Sequence, residues 1–391
     1  MWINRHIEQL LLNVADTRPA VVLTGARQTG KTSLMQRLFP AYNFVSLDSR
    51  SEAEQAELYP EMFLSRHAPP VIIDEIQYAP NLFRHLKTVI DQNRRSGSFL
   101  LTGSVPFPLM RSVSESLAGR VAVLNLEPLS FAEVKAVYPD ITAEEFLVRG
   151  GFPELYSDLK IDSRNFLQSY ESTYLERDLR QLLAVGSLRD FERFIRACAL
   201  HSAQLANQAD LARIVGVAGS TLSAWIKVLV SSHQLFLLES WYSNENKSLV
   251  KRPKMYISDA GLAAFHCGIH TVNDFRSSPL AGSLWETLVC AEIRRTQINR
   301  HGTWNLNFWR DRNREADFLI HQGGRFHLAD AKWASHPRER DTGPLKKIKR
   351  ALKPENVKSL SIICQTPNAY PIDDQVLAIP LEELGNTPLV E

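Results

Sequence analysis

The stretch Ala20-Val21-Val22-Leu23-Thr24-Gly25-Ala26-Arg27-Gln28-Thr29-Gly30-Lys31-Thr32 decides how this chain folds. Its first five residues carry no charge and read as a strand buried on both faces. Gly25 to Thr32 fit the pattern G-x-x-x-x-G-K-[S/T] in full, and residues 32–39 that follow read as a helix. A glycine-rich turn between a buried strand and a helix is the context that gives this pattern its chemistry. Glycines let backbone N–H groups close round phosphate oxygens, and the helix N-terminus adds positive potential. The expectation is an ATP site formed by Gly25, Ala26, Arg27, Gln28, Thr29, Gly30, Lys31, Thr32 and Ser33. Lys31 would neutralise the β- and γ-phosphates, and the Thr32 hydroxyl would ligate Mg²⁺.

Outward from this loop, short apolar runs alternate with helical segments. Strands are expected at residues 42–47, 71–73, 98–102 and 121–126, with a helix over 82–94. That alternation predicts a parallel sheet covered on both faces. Val71-Ile72-Ile73 closes on Asp74-Glu75, which puts two carboxylates at the sheet edge beside the loop. Asp74 would hold Mg²⁺ through water, and Glu75 would orient and polarise the attacking water. Thr102 and Ser104, at the end of the next strand, are candidate sensors of the γ-phosphate. Arg120, just before the last strand, is a candidate arginine finger acting within the chain or on a neighbouring subunit.

Residues 207–229 have a helix-turn-helix cadence. Leu211, Ala212 and Val215 share one face, Gly216 stands at the turn, and Ser220 is placed to cap the second helix. Leu222, Trp225, Ile226 and Leu229 of that helix face inward. Ser223 and Lys227 face outward, where a recognition helix would meet a groove. A hairpin over residues 234–258 adds Lys247, Lys251, Arg252 and Lys254 as candidate phosphate contacts. Such modules also serve as lids and protein-binding units, so DNA and protein partners both stay open.

Taken together, TGARQTGKTSL, VIIDEIQ, LLTGS, SLAGRV and LEPLSFAEV resemble the bacterial and archaeal AAA-type ATPases that carry a C-terminal domain called DUF4143. GGFPEL, YLERDL, DRNREADFLI and LADAKWAS extend the resemblance over nearly the whole chain. It implies an α/β protein with an AAA+-like P-loop ATPase core over residues 1–160 and a helical lid or connector over 161–185. A winged-helix domain over 186–272 and a C-terminal α/β domain over 273–391, similar to the PD-(D/E)xK nuclease fold, would follow. Asp330 and Lys332 lie two apart and share one face of a strand. With Asp317 on the neighbouring strand and Glu286 on the preceding helix they resemble the D…(D/E)-x-K pattern of that fold. The implied site would hold Mg²⁺ or Mn²⁺ on two or three carboxylates, with the lysine stabilising a phosphate or positioning water.

The bulk numbers exclude little. Of the 391 residues, 44% are apolar and 23% charged, and the net charge is +2, so any nucleic-acid surface must be local. Cys198, Cys267, Cys290 and Cys364 form no C-x-x-C pair, which signals neither zinc nor a disulfide framework. Charges interrupt the N-terminal MWINRHIEQLLLNV, which reads as an amphipathic helix rather than a signal peptide. No run approaches the length of a membrane span, so a cytoplasmic protein is expected. The leading expectation is an ATP-hydrolysing DNA-processing protein acting as a helicase or branch-migration motor, with metal-dependent cleavage as an added activity. It would be a homo-oligomer, with a hexamer the habit of similar motors. The alternative is a nucleotide-dependent switch or sensor acting on a protein partner, and a third reading is a nuclease gated by ATP.

Overall fold

The computed structural model describes residues 2–104, 117–174, 188–242, 252–300, 302–311 and 314–386. Its first sheet holds β1 (Ala20–Thr24), β2 (Asn43–Ser46), β3 (Val71–Asp74), β4 (Phe99–Thr102) and β5 (Val121–Asn125) in the order β2-β3-β4-β1-β5. Every pairing is parallel. β1, β3 and β4 are buried at every position, as their apolar runs require; Asp74, which ends β3, is buried with them. Successive side chains of β1 alternate between two cores. Val21 and Leu23 pack with Leu11 of helix Glu8–Ala15 and with Leu34 and Met35 of helix Lys31–Leu38. Ala20 and Val22 pack on the other face with Phe63, Phe83 and Leu86.

Beyond β5, two short helices each begin with a capping box, Ser130 with Glu133 and Thr142 with Glu145. The connecting helix Ser163–Tyr174 is described; residues 175–185 of the expected connector lie outside the described residues. The middle unit runs helix Leu188–Leu200, β6 (Gln204–Leu205), helix Gln208–Val215, helix Gly219–Ser231, β7 (Leu235–Leu238) and β8 (Lys254–Ile257). Its strands form an antiparallel sheet in the order β6-β8-β7. The two helices about Gly216 meet at 104°, within the range of a helix-turn-helix. Gly216 makes this turn with φ +85°, a left-handed conformation that glycine adopts without a Cβ penalty. Ser220 is not the cap: the helix starts at Gly219, and Ala218 stands at the N-cap position. Trp225 fills the core edge-on against Phe191, 5.0 Å between centroids.

The last unit has a six-stranded sheet in the order β13-β14-β12-β11-β10-β9. Its strands are β9 (Asn305–Asp311), β10 (Arg314–Gln322), β11 (Arg325–Ala331), β12 (Val357–Cys364), β13 (Tyr370–Pro371) and β14 (Val376–Pro380). Helix Ala281–Asn299 covers one face through Trp285, Leu288 and Val289. Helix Glu339–Ala351 covers the other through Leu345 and Ile348. One apolar cluster runs from Leu129 and Phe131, in the segment after β5, through Trp225 and Leu262 to Trp285 and Phe318, joining the middle and C-terminal sheets to that segment; the first sheet packs in two cores of its own. Where helix Ala143–Arg149 meets helix Ala260–His266 the backbones touch: a Cβ on Gly261 would lie 2.4 Å from the Gly150 backbone.

Candidate nucleotide site and a C-terminal acid cluster

The loop between β1 and helix Lys31–Leu38 winds through positive φ at Gly25 (+141°), Gln28 (+59°) and Gly30 (+87°). A side chain at Gly25 is sterically shut out, because a Cβ there would sit 2.2 Å from the Leu126 carbonyl oxygen. Thr29 pins the turn by donating from Oγ1 to the Ala26 carbonyl at 2.9 Å. The Lys31 ammonium folds back over the loop and donates to the carbonyls of Gly25 (3.0 Å) and Ala26 (2.7 Å). Gln28 and Ser33 are exposed, and Arg27 and Thr32 are half-buried.

The strand ends bring the remaining candidates to the same edge. Thr32 Oγ1 donates to Asp74 Oδ1 at 2.7 Å. Thr102 Oγ1 donates to the same oxygen, and Ser46 Oγ to Asp74 Oδ2 at 3.3 Å. Glu75 sits in a left-handed conformation at φ +54°, with its N–H on Thr102 Oγ1 at 3.3 Å. Its carboxylate accepts from Ser104 Oγ at 3.2 Å and from the Gln77 amide. Thr32, Asp74, Glu75, Thr102 and Ser104 thus form one hydrogen-bonded group at the mouth of the loop, as expected. Ser46 and Gln77 are additions: no spacing rule marks them, because Ser46 arrives from a different strand. The converging oxygens of Thr32 and Asp74 are the hard donors that Mg²⁺ takes, so the residues present fit that ion.

Arg120 is a correction. It precedes β5 and so stands at the opposite edge of the sheet from the loop, where its carbonyl accepts from Ala20 N–H. Its guanidinium is engaged bidentately by Asp91 (2.6 and 2.9 Å). It is therefore no phosphate ligand within its own chain.

Behind the loop lies a buried polar network. Arg5 donates to the carbonyls of Thr29 (3.0 Å) and Glu127 (2.7 Å) and pairs with Glu133 at 3.3 Å. Glu127 accepts from Asn125 at 2.6 Å and pairs with Arg294 of helix Ala281–Asn299 at 3.3 Å. Burial alone would raise the Glu127 carboxyl, but Arg294, His233 and Arg295 together hold it below its usual range. His233 belongs to the middle unit; burial holds its imidazole low, against the pull of Glu127 and with the help of Arg294 and Lys31. Arg295 bonds Glu292 (2.6 Å) and Asp259 (3.3 Å), and Glu292 accepts from Phe131 N–H at 3.1 Å. Glu127, Phe131 and Glu133 stand in the quoted stretch LEPLSFAEV, but nothing in the sequence marks their partners, which lie up to 167 positions away.

Of the candidate DNA contacts, Lys227 and Arg252 are exposed. Lys247 and Lys251 lie outside the described residues. Lys254 is a second correction: only 3% exposed, it heads β8 and turns into the C-terminal unit. Its ammonium lies 2.5 Å from Glu315 Oε1, 2.9 Å from Glu286 Oε1 and 3.2 Å from Asp317 Oδ1.

The expected C-terminal constellation does converge. Asp317 N–H donates to Asp330 Oδ1 at 3.1 Å, and Ala331 N–H to Asp317 Oδ2 at 3.0 Å. Tyr256 donates to Glu286 Oε1 at 2.7 Å. Burial and the neighbouring Asp317 push Glu286 up to about 7, against Lys254 and Tyr256. The same two causes push Asp330 up to about 8, with Lys332 opposing. Yet among the described residues no three His, Cys, Asp or Glu side chains are set to hold a metal ion. The cation among these acids is Lys254, so the arrangement does not fit the expected metal site.

The chain matches known sequences in three blocks. Residues 17–135 match the family described as AAA domain, and residues 281–384 match the domain of unknown function DUF4143. Residues 141–273 match a further domain of unknown function, DUF8612. The chain thus carries an AAA domain and a C-terminal DUF4143 domain, as the resemblance implied. The uncharacterized protein Rv2008c of Mycobacterium tuberculosis is 29% identical over 376 residues, 95% of this chain and 82% of its own. The uncharacterized protein Mb2031c of Mycobacterium bovis gives the same figures, 29% over 376 residues. Among solved structures, the Walker-type ATPase PABY2304 of Pyrococcus abyssi is 15% identical with a TM-score of 0.47, covering 68% of this chain and 96% of its own. The ORC2 protein of Aeropyrum pernix in its ADP form is 14% identical with a TM-score of 0.32, covering 71% and 96%. Among the described residues no single helix is long and apolar enough to cross a membrane.

Proposed function

We propose that this chain, with its AAA domain and C-terminal DUF4143 domain, hydrolyses ATP at the loop of residues 25–32 and applies the nucleotide cycle to DNA. The observation that carries the first half is the shared grip of Thr32, Thr102 and Ser46 on Asp74, beside Glu75. Lys31 neutralises phosphate charge from its perch on the loop carbonyls. Thr32 and Asp74 would hold Mg²⁺, which when bound offsets phosphate charge at the transferring group. Glu75 takes the role of water-orienting base, with Ser104 and Gln77 fixing its carboxylate and Thr102 its backbone. A positioned base of this kind contributes roughly 100- to 10,000-fold in rate.

The DNA half rests on the winged-helix order of the middle unit and on the exposed Lys227 and Arg252 beside it. Helix–sheet modules of this order reach a groove with one helix and the backbone with the wing. The buried network from Arg5 to Arg295 offers a route by which loop contacts reach both later units. Assembly as a homo-oligomer in the cytoplasm belongs to the same reading, and light scattering with and without ATP tests the assembly. The main experiment is ATPase rate with and without single-stranded, duplex, forked and four-way DNA. At least one substrate raises turnover, and its binding weakens steeply with salt. Indifference of both binding and turnover to every DNA removes this half and leaves the ATPase. A second reading, a nucleotide-dependent switch on a protein partner, gains from the exposed Ile214 and Val230, 46% and 37% accessible, on the two helices about Gly216. It predicts a partner retained in one nucleotide state only.

A further inference from the structure

The C-terminal acids gather round a cation that comes from another part of the chain. Glu286 stands on helix Ala281–Asn299, Glu315 and Asp317 on β10, and Asp330 on β11. Lys254 comes from β8 of the middle sheet and crosses to them with its side chain 4% exposed. Its ammonium has three donors, and three carboxylate oxygens lie at 2.5–3.2 Å. Phe308 closes over it, ring centroid 5.7 Å from Nζ, and Tyr256 holds Glu286 from the same strand as Lys254.

We propose that this cluster is a cation site filled by the protein itself: Lys254 holds the place a divalent ion would need, closes the cluster to metal, and latches the middle unit to the C-terminal unit. A divalent ion would need these same carboxylate oxygens at about 2.0–2.6 Å. It would then share them with an ammonium already within hydrogen-bond reach, in a pocket where like charges are poorly screened. Backbone bonds run alongside the latch: Trp241 N–H donates to Phe308 O at 2.7 Å and Phe308 N–H to Glu239 O at 3.1 Å. Four carboxylates facing Lys254, Lys332 and, at Glu315, Arg310 (3.5 Å) leave the cluster short of positive charge, which agrees with the raised Glu286 and Asp330. Withdrawing Lys254 therefore both loosens the joint between the units and exposes an acid set that attracts a dication. No divalent ion enters these acids while β8 stays in place. The latch is independent of the ATPase reading, since none of its residues touches the loop.

Two measurements on the nucleotide-free full chain test it. In the first, Mn²⁺ is titrated calorimetrically into the wild type and Asp317→Asn. The same isotherm is expected for both, because no Mn²⁺ enters the cluster; a site present in the wild type and lost in Asp317→Asn overturns the proposal. In the second, Lys254→Met melts at least about 4 °C lower, and Mn²⁺ restores part of that loss, but not in Lys254→Met/Asp317→Asn. An unchanged Tm in Lys254→Met contradicts the latch, and a loss that Mn²⁺ does not restore contradicts the cation site. Should Lys254→Met not be recovered folded, the calorimetric pair decides alone.

Discussion

Gly25 carries more of the nucleotide site than its lack of a side chain suggests. Its φ of +141° and the Leu126 carbonyl 2.2 Å from any Cβ leave no room for alanine without moving the loop. Gly216, at φ +85° with open space around it, separates backbone strain from collision. Gly25→Ala is expected to lower ATP affinity at least about tenfold, the scale of 1–3 kcal/mol of local strain. Gly216→Ala should leave affinity unchanged while costing comparable stability. Fluorescent-nucleotide titration of both variants checks this, and equal affinity in Gly25→Ala and wild type would count against the loop geometry. Residues of the site were legible where a motif fixes them: Lys31, Thr32, Asp74 and Glu75 fall together as their spacing foretold. Lys254 was misread because a lysine near a hairpin looks like surface. Its partners lie 32, 61 and 63 positions onward, and only the fold brings them to it.

At the scale of elements, edge polarity explains why Arg120 does not reach the loop of its own chain. In a parallel sheet a residue after a strand and a residue before one stand at opposite edges, so an arginine ahead of β5 cannot face a loop that follows β1. β10 and β11 pose the converse case, since their pairing forces Asp317 and Asp330 together in a dry place. Both raised carboxyls, Glu286 near 7 and Asp330 near 8, hold protons in the folded chain over a range where an unfolded chain, at 4.5 and 3.8, has released them. The folded state then binds more protons, so their contribution to stability is full below the unfolded values and is lost as pH rises through about 7 and 8. The Tm of the chain should fall as pH rises from about 4 to about 8 and level off above that. Asp330→Asn should flatten part of that slope, and an identical slope in the variant would contradict the burial account.

Across the whole molecule, the middle and C-terminal sheets share one apolar cluster with the segment after β5, and a buried polar chain runs from the P-loop carbonyl of Thr29 through Arg5, which also pairs with Glu133, and Glu127 to Arg294. Strand–helix alternation made the first unit legible, and the helix-turn-helix cadence the second. The joints between them were not legible, because Arg294, Arg295 and Asp259 read in sequence as ordinary surface charges. Buried ion pairs across the joint between the first and last units suit a protein in which nucleotide chemistry at one sheet is felt at another. The account turns on hydrolysis by Glu75, and the most direct test is single-turnover ATP hydrolysis by Glu75→Gln beside a measurement of its ATP affinity. The account predicts affinity within about threefold of wild type and a hydrolysis rate lower by at least about 100-fold. Wild-type turnover in Glu75→Gln, or no ATP binding by the wild type itself, would contradict it.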